Sequence, residues 1–276
     1  MTIMREQTLG LDLGGTKLLL RCEAIEETSR TGSSFTPDDL MRQVQSFIAR
    51  HGLSPARIGL AVPGLVDRSG RIAACDVLPS FAGWPASAAI KDLCGGVAVL
   101  NDVKAALLEE VHDAPRDMTG GVIMIGTAVG AAFITNGKAL LGASGWAGEL
   151  GYLPIVVGDQ VKRLDELAGG AAIAALCGLP PATLAQRARS GDSSVLQAID
   201  AAGRSLGFGL AAVINLLNPS RLAVGGGTCD LPGYWQAART SAEQYTIPEL
   251  WRDCSLAKVR AGKQVVVLGA IRAAQA

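Results

Sequence analysis

A chain of 276 residues, 49% hydrophobic and only 18% charged, has enough apolar material for one or two cores and no polar tract that would leave it disordered. Its 25 basic and 25 acidic residues cancel, which argues against nucleic acid as a partner, since such modules present a basic face. Glycine, at 34 residues, exceeds its usual share of about 7% without a G-x-y period, so it marks tight turns and backbone-lined ligand loops.

The opening residues Met1–Thr8 carry charge where a secretory peptide needs an apolar stretch. Leu9–Leu20 is an apolar run, a Gly14-Gly15-Thr16 turn and a second apolar run, the outline of a β-hairpin. Pro37–Arg50 reads as an amphipathic helix with Leu40, Met41, Val44, Phe47 and Ile48 on one face. Arg57–Val62 is a strand ending at Pro63-Gly64, and Gly96–Leu100 is another ending at Asn101-Asp102. A helix follows over Ala105–Val111, closed by Pro115. Gly121–Ile134 repeats the hairpin outline around Gly126, Thr127 and Gly130, which suggests a duplicated architecture with facing tips. Glycines and threonines interrupt the charge-free stretch Met118–Gly137, so it reads as buried strands and gives no membrane partner. Arg204–Leu217 is apolar on nearly all sides, like a helix between layers, and Asn218-Pro219 ends it. Leu222-Ala-Val224 is a strand, Gly225-Gly226-Gly227 turns the chain, and Gly269–Ala274 is a short terminal helix. The fold class is α/β. We expect a smaller N-terminal domain over residues 1–116, a larger one over 117–262, and a C-terminal helix at about 263–276 packing back on the first.

Three glycine-rich turns are candidate phosphate or nucleotide loops, because backbone N–H groups approach an anion closely only where no Cβ intervenes. The first holds Asp12, Gly14, Gly15, Thr16 and Lys17, where a carboxylate could hold Mg²⁺ and Thr16 and Lys17 offer donors. The second is Gly126–Gly130 and the third Gly225–Gly227; an ordinary turn is the alternative for each. Asp102 stands at a strand end before a helix, as a helix cap or as a general base where open α/β sheets place ligands. Glu149, between glycines, could accept sugar hydroxyls or be solvated, and Asp165 could partner a helix dipole. Six scattered cysteines without a C-x-x-C pair, and only two histidines, point to reduced thiols in the cytoplasm and no zinc site.

Taken in order, Leu11-Asp-Leu-Gly-Gly-Thr-Lys17, Ala61-Val-Pro-Gly-Leu65, Leu100-Asn-Asp102, Gly126-Thr-Ala-Val-Gly130, Ala147-Gly-Glu-Leu-Gly151, Leu206–Pro219 and Gly225–Gly227 resemble the ROK family of repressors, open reading frames and kinases. The resemblance implies an actin-like ATPase (ribonuclease H-like) fold, two α/β domains with an interdomain cleft closing on ATP·Mg²⁺ and a sugar, and a homodimer. It implies that Asp12, Gly14, Gly15, Thr16 and Lys17 form the first phosphate motif, Gly126, Thr127 and Gly130 the second, and Gly225, Gly226 and Gly227 the adenosine motif. Asp102 matches the catalytic base, with Gly64, Asn101 and Glu149 beside the sugar.

Departures from the family pattern bear on the sugar side. Tyr152 replaces the histidine that usually follows the Gly-Glu-x-Gly motif, Val156–Arg163 replaces the cysteine-rich zinc loop, and Asp165 stands for a glutamate. Tyr152 and Asp165 remain candidate sugar neighbours, and no zinc is expected. The reading is an ATP-dependent kinase of a hexose or N-acylhexosamine, with a weakly catalytic nucleotide- or sugar-binding sensor as the alternative. The repressor branch is disfavoured because the first strand begins by about Gln7, leaving no room for a DNA-binding domain.

Overall fold

A computed structural model describes residues 6–143 and 145–276; the charged opening at Met1–Arg5 lies outside the described residues. The chain forms two compact units, one being Asp113–Gly262 and the other the preceding residues together with Lys263–Ala276.

The first unit is built on strands β1 (Thr8–Leu13), β2 (Lys17–Cys22), β3 (Ile25–Arg30), β4 (Arg57–Val62) and β7 (Gly96–Asn101), in the order β3-β2-β1-β4-β7, with a small pair β5 (Leu65–Val66) and β6 (Ile72–Ala74) between the last two in sequence. β1, β2 and β3 are antiparallel neighbours, whereas β1, β4 and β7 run parallel. Strand side chains alternate between faces. Leu9, Leu11, Leu13, Leu18, Leu20, Ile58, Leu60 and Val62 therefore share one face and join a single buried cluster. Helix α1 (Pro37–His51) covers it with Leu40, Val44 and Phe47. The start of α1 is a capping box between Thr36 and Asp39, and its end is Gly52 in the left-handed region at φ 59.

Glycines set the opposite face. A Cβ on Gly59 would stand 1.9 Å from the Ala270 carbonyl oxygen, and one on Gly10 would lie 2.8 Å from that of Val267. The C-terminal helix Val265–Gln275 thus lies directly on β1 and β4. Helix α2 is the short Ala86–Ile90, and α3 runs Asp102–Glu110. A Cβ on Gly269 would come within 1.7 Å of Ala105 O in α3, so the C-terminal helix also fixes α3 and the residues that open it. Helix α3 begins at Asp102, ahead of the expected Ala105, because Asn101 caps it. The C-terminal helix begins at Val265, ahead of the expected Gly269: Val265-Val-Val267 is β-branched, yet burial of all three outweighs their weaker helix propensity.

The second unit holds β8 (Gly120–Ile125), β9 (Val129–Thr135), β10 (Lys138–Ala139), the hairpin β11 (Pro154–Val157) and β12 (Gln160–Arg163), then β13 (Arg221–Gly225) and β14 (Ser255–Lys258). Its main sheet has the order β10-β9-β8-β13-β14. As in the first unit, an antiparallel hairpin meets parallel strands through its first member. Helices α4 (Asp165–Ala168), α5 (Gly170–Cys177), α6 (Pro181–Arg189), α7 (Ser193–Leu217), α8 (Tyr234–Tyr245) and α9 (Pro248–Asp253) complete it, and the C-terminal helix of the first unit is α10. Helix α7 starts at Ser193, well before the expected Arg204. Asp192 caps it, accepting from Ser194 and Val195 N–H, and Val195, Ala198, Ile199 and Ala202 bury one stripe while Gln197, Asp200 and Arg204 do not join it. Among the described residues no helix is long and apolar enough to cross a membrane.

Candidate active site

In the first unit the β1–β2 hairpin closes with Gly14 N–H donating to Lys17 O at 2.8 Å. Thr31, just beyond β3, braces the tip: its hydroxyl donates to Gly14 O at 2.6 Å and its N–H to Thr16 O at 3.2 Å. Gly14 and Gly15 have ordinary backbone angles, so the turn does not require their left-handed freedom. A Cβ on Gly15 would strike Val77 at 2.2 Å. Thr31 carries no motif in the sequence; only the β2–β3 register brings it under the tip.

Asp12 and Asp102 both lie at the carboxyl end of this sheet. Asp12 pairs with Ala61 of β4, Ala61 pairs with Leu100 of β7, and Asp102 follows within two residues. Burial pushes the Asp12 carboxyl up to about 6, against a smaller opposing pull from the Lys17 charge. Asp102 is pushed up to about 7, first by desolvation and then by the negative charge of Asp12. Its carboxylate accepts from Val103 N–H at 2.9 Å, which holds part of the ionised form in place.

The cap of α3 is Asn101, not Asp102: Asn101 Oδ1 accepts from Val103 N–H at 3.0 Å and Lys104 N–H at 3.2 Å. Its Nδ2 donates to Gly64 O at 3.1 Å. Asn101 therefore ties the Gly64 turn to the start of α3 and shares the Val103 N–H with the Asp102 carboxylate. Gly64 itself is demanded by packing, because a Cβ would lie 2.4 Å from Ala74 O.

In the second unit the β8–β9 tip is locked to its neighbours. Gly126 O accepts from Gly170 N–H at 2.9 Å and from the Thr228 hydroxyl at 2.8 Å, and Thr127 O accepts from Ala171 N–H at 3.1 Å. Thr228 thus joins the second glycine turn to the third, a link that a lone threonine after Gly227 does not announce. Gly130 sits half-buried in β9 opposite Met124.

The three glycines of Gly225–Gly227 have different reasons to exist. Gly226 has φ 98, and its Cβ would stand 2.2 Å from Ile125 O; a Cβ on Gly225 would meet Val259 at 2.7 Å. Gly227 and Gly126 instead face open space with ordinary backbone angles. The fold does not require glycine at those two, and their bare backbone is open to close approach.

The sugar-side candidates of this unit lie around β9. Gly148, at φ 105, donates no room to a Cβ, which would sit 2.0 Å from Ala131 O, and its own carbonyl accepts from Ala131 N–H at 3.0 Å. Glu149 follows as an exposed side chain. Asp165 opens α4, placing its charge in that helix's first turn, and its carboxylate also accepts from Val129 N–H at 2.6 Å and fills the space beside Gly151. Burial raises its pKa, opposed by that hydrogen bond. Tyr152 is 59% exposed, with the Arg163 guanidinium 4.9 Å above its ring, so a cation–π contact occupies one face. Among the described residues no three His, Cys, Asp or Glu side chains gather as a metal-ligand group.

The model of the family described as "ROK family" matches residues 8–276. Kanosamine kinase of Amycolatopsis mediterranei is 27% identical over 79% of this chain and 80% of its own length. An N-acetylmannosamine kinase of Salmonella heidelberg is 26% identical over 87% of this chain and 90% of its own. Among solved structures, a glucokinase from Streptomyces griseus, in complex with glucose and AMPPNP, superposes with TM-score 0.80 at 23% identity, covering 98% of this chain and 99% of that one. The fold is the actin-like ATPase fold.

Proposed function

The chain belongs to the ROK family, and from that premise we propose that it is an ATP-dependent sugar kinase acting on a hexose or N-acylhexosamine with Asp102 as general base. The observation that carries the reading is the Asp102 carboxylate, placed at the carboxyl end of the sheet beside the Asn101 cap and raised to about 7. A base with a pKa near the working pH combines a useful ionised fraction with real proton affinity. Asp102 accepts the proton of a sugar hydroxyl while that oxygen bonds to the γ-phosphorus and ADP departs. In phosphoryl transfer the transition state is loose, so alignment and charge stabilisation matter most.

The other candidates have proposed roles in that step. Gly14, Gly15, Thr16 and Lys17 offer backbone and side-chain donors to phosphate, as do Gly126 and Thr127, with Gly130 in the strand behind them. Gly225–Gly227 present bare backbone for the adenosine. Gly64, Asn101, Glu149, Tyr152 and Asp165 are the proposed sugar neighbours, Asn101 acting through the Gly64 turn it holds. The desolvated carboxylate of Asp12, whose charge also raises the proton affinity of the desolvated Asp102, fits a divalent cation, so Asp12, with Asp102 nearby, would hold Mg²⁺, which would neutralise phosphate charge. Kanosamine and N-acetylmannosamine kinases among the relatives support an amino- or acylamino-sugar within the substrate class.

A homodimer and a cytoplasmic setting, where nucleoside triphosphate is available, complete the proposal. Metal analysis of the purified protein is expected to find no stoichiometric zinc. The decisive experiment is a coupled ADP-release screen over glucose, mannose, allose, fructose, N-acetylglucosamine and N-acetylmannosamine, repeated with Asp102→Asn. Turnover of one sugar that Asp102→Asn abolishes, with both ligands still binding, supports the reading. Sugar binding without turnover of any would make the chain a binder, and unchanged turnover in the variant would remove Asp102 as base.

A further inference from the structure

The β2–β3 ladder places Lys17 directly opposite Arg30. Directly opposed residues of an antiparallel pair share a face, with Cβ atoms about 4.5–5.5 Å apart, and like charges so placed repel. Asp12 is opposite Leu19, and Leu19 is two residues from Lys17, so Asp12 lies on this same face. Arg30 is exposed, and among the described residues neither cation has a carboxylate within ion-pair distance. Lys17 has Asp12 within electrostatic reach, and its charge opposes part of the rise that burial causes there. The adjacent Thr31 anchors the hairpin tip through two hydrogen bonds, so the guanidinium stem leaves a braced segment and not a loose one.

Two positive charges held side by side at the mouth of a glycine turn, with Asp12 offsetting only part of the Lys17 charge, are a cost to the fold that an anion removes. We propose that Arg30 is a further nucleotide-binding residue, which together with Lys17 grips the phosphate chain of the bound nucleotide. This rests on the kinase reading for the nature of the anion. Arg30 makes a planar fork of N–H donors suited to two phosphate oxygens, whereas Lys17 acts as a point charge. Its role is binding and alignment, with the proton left to Asp102.

The test uses the full chain, with AMPPNP and inorganic tripolyphosphate as calorimetric probes, in the wild type, Arg30→Gln and Arg30→Lys. Removing one charge-assisted contact is expected to weaken both probes about tenfold in Arg30→Gln, with an intermediate loss in Arg30→Lys. In steady state the KM for ATP rises and kcat changes little. The ligand-free Arg30→Gln protein is expected to melt about 1–3 °C higher than wild type, because the like-charge contact is relieved. A purely structural arginine would instead lower the melting temperature and spare the affinities. Equal affinity for AMPPNP in wild type and Arg30→Gln overturns the inference while leaving the kinase reading intact. Wild-type protein that binds tripolyphosphate through Arg30 yet phosphorylates no sugar overturns the kinase reading and leaves the anion site standing. Failure of the wild type to bind either probe overturns the inference.

Discussion

Replacing Asp102 by Asn is expected to stabilise the ligand-free protein at the pH where it destroys activity. The carboxyl rises from its ordinary 3.8 to about 7, driven chiefly by desolvation and then by Asp12. At about 1.4 kcal/mol per tenfold, that rise corresponds to about 4 kcal/mol of strain in the ionised form. Relaxation and water at a part-exposed carboxylate reduce the measurable value to about 1–3 kcal/mol. Asparagine keeps an acceptor for Val103 N–H and carries no charge, so it escapes the penalty. The sign follows from the raised pKa: the protonated form is favoured in the folded state, so wild-type stability declines as pH rises from about 4 through 7. The gap between variant and wild type therefore opens over that range and is flat above it. At roughly 3 °C per kcal/mol it appears as a melting temperature about 3–9 °C higher at pH 8, shrinking towards pH 5. Thermal melts at pH 5, 6.5 and 8, run beside ADP-release assays, measure both effects. A variant less stable than wild type by the same amount at every pH would refute the reasoning, because it would mean that the hydrogen bond from Val103 outweighs the buried charge.

The same electrostatics predict the rate profile: kcat/KM rises with pH through a midpoint near 7, and Asp12→Asn, which removes the neighbouring charge, moves that midpoint to lower pH. Two glycine substitutions separate ligand approach from folding. Gly126→Ala, facing open space, should change stability by less than about 0.5 kcal/mol yet weaken nucleotide binding, whereas Gly226→Ala, strained at φ 98 against Ile125 O, should destabilise the second unit outright in urea titrations. Gly59→Ala drives a methyl to within 1.9 Å of Ala270 O and should cost about 3 kcal/mol of stability, with activity lost in step as α10 and α3 shift; normal stability would mean that α10 does not lie on β4 at this distance.

Much of this protein is local enough to be read along the chain. The two glycine-tipped hairpins, the amphipathic face of α1, and the strand ends at Gly64 and Asp102 follow from periodicity and turn residues, which act over a few positions. A cap or burial overrides local composition at some helix starts, as at Ser193 and Val265. Other properties exist only once distant segments meet. Asp12 and Asp102 become neighbours through the parallel register of β1, β4 and β7, and the push of the Asp12 charge on Asp102 depends on that register. Asn101 caps α3 through its Oδ1 while its amide nitrogen reaches Gly64 O, 37 positions back along the chain. Gly225, Gly226 and Gly227 are identical letters, yet contacts with Val259 and Ile125 give the first two a packing reason and leave the third open. Lys17 and Arg30 are opposed only by strand register. Short-range rules set which elements form; the charges and open spaces of the site arise from through-space packing, where interaction strength depends on separations that sequence distance does not encode.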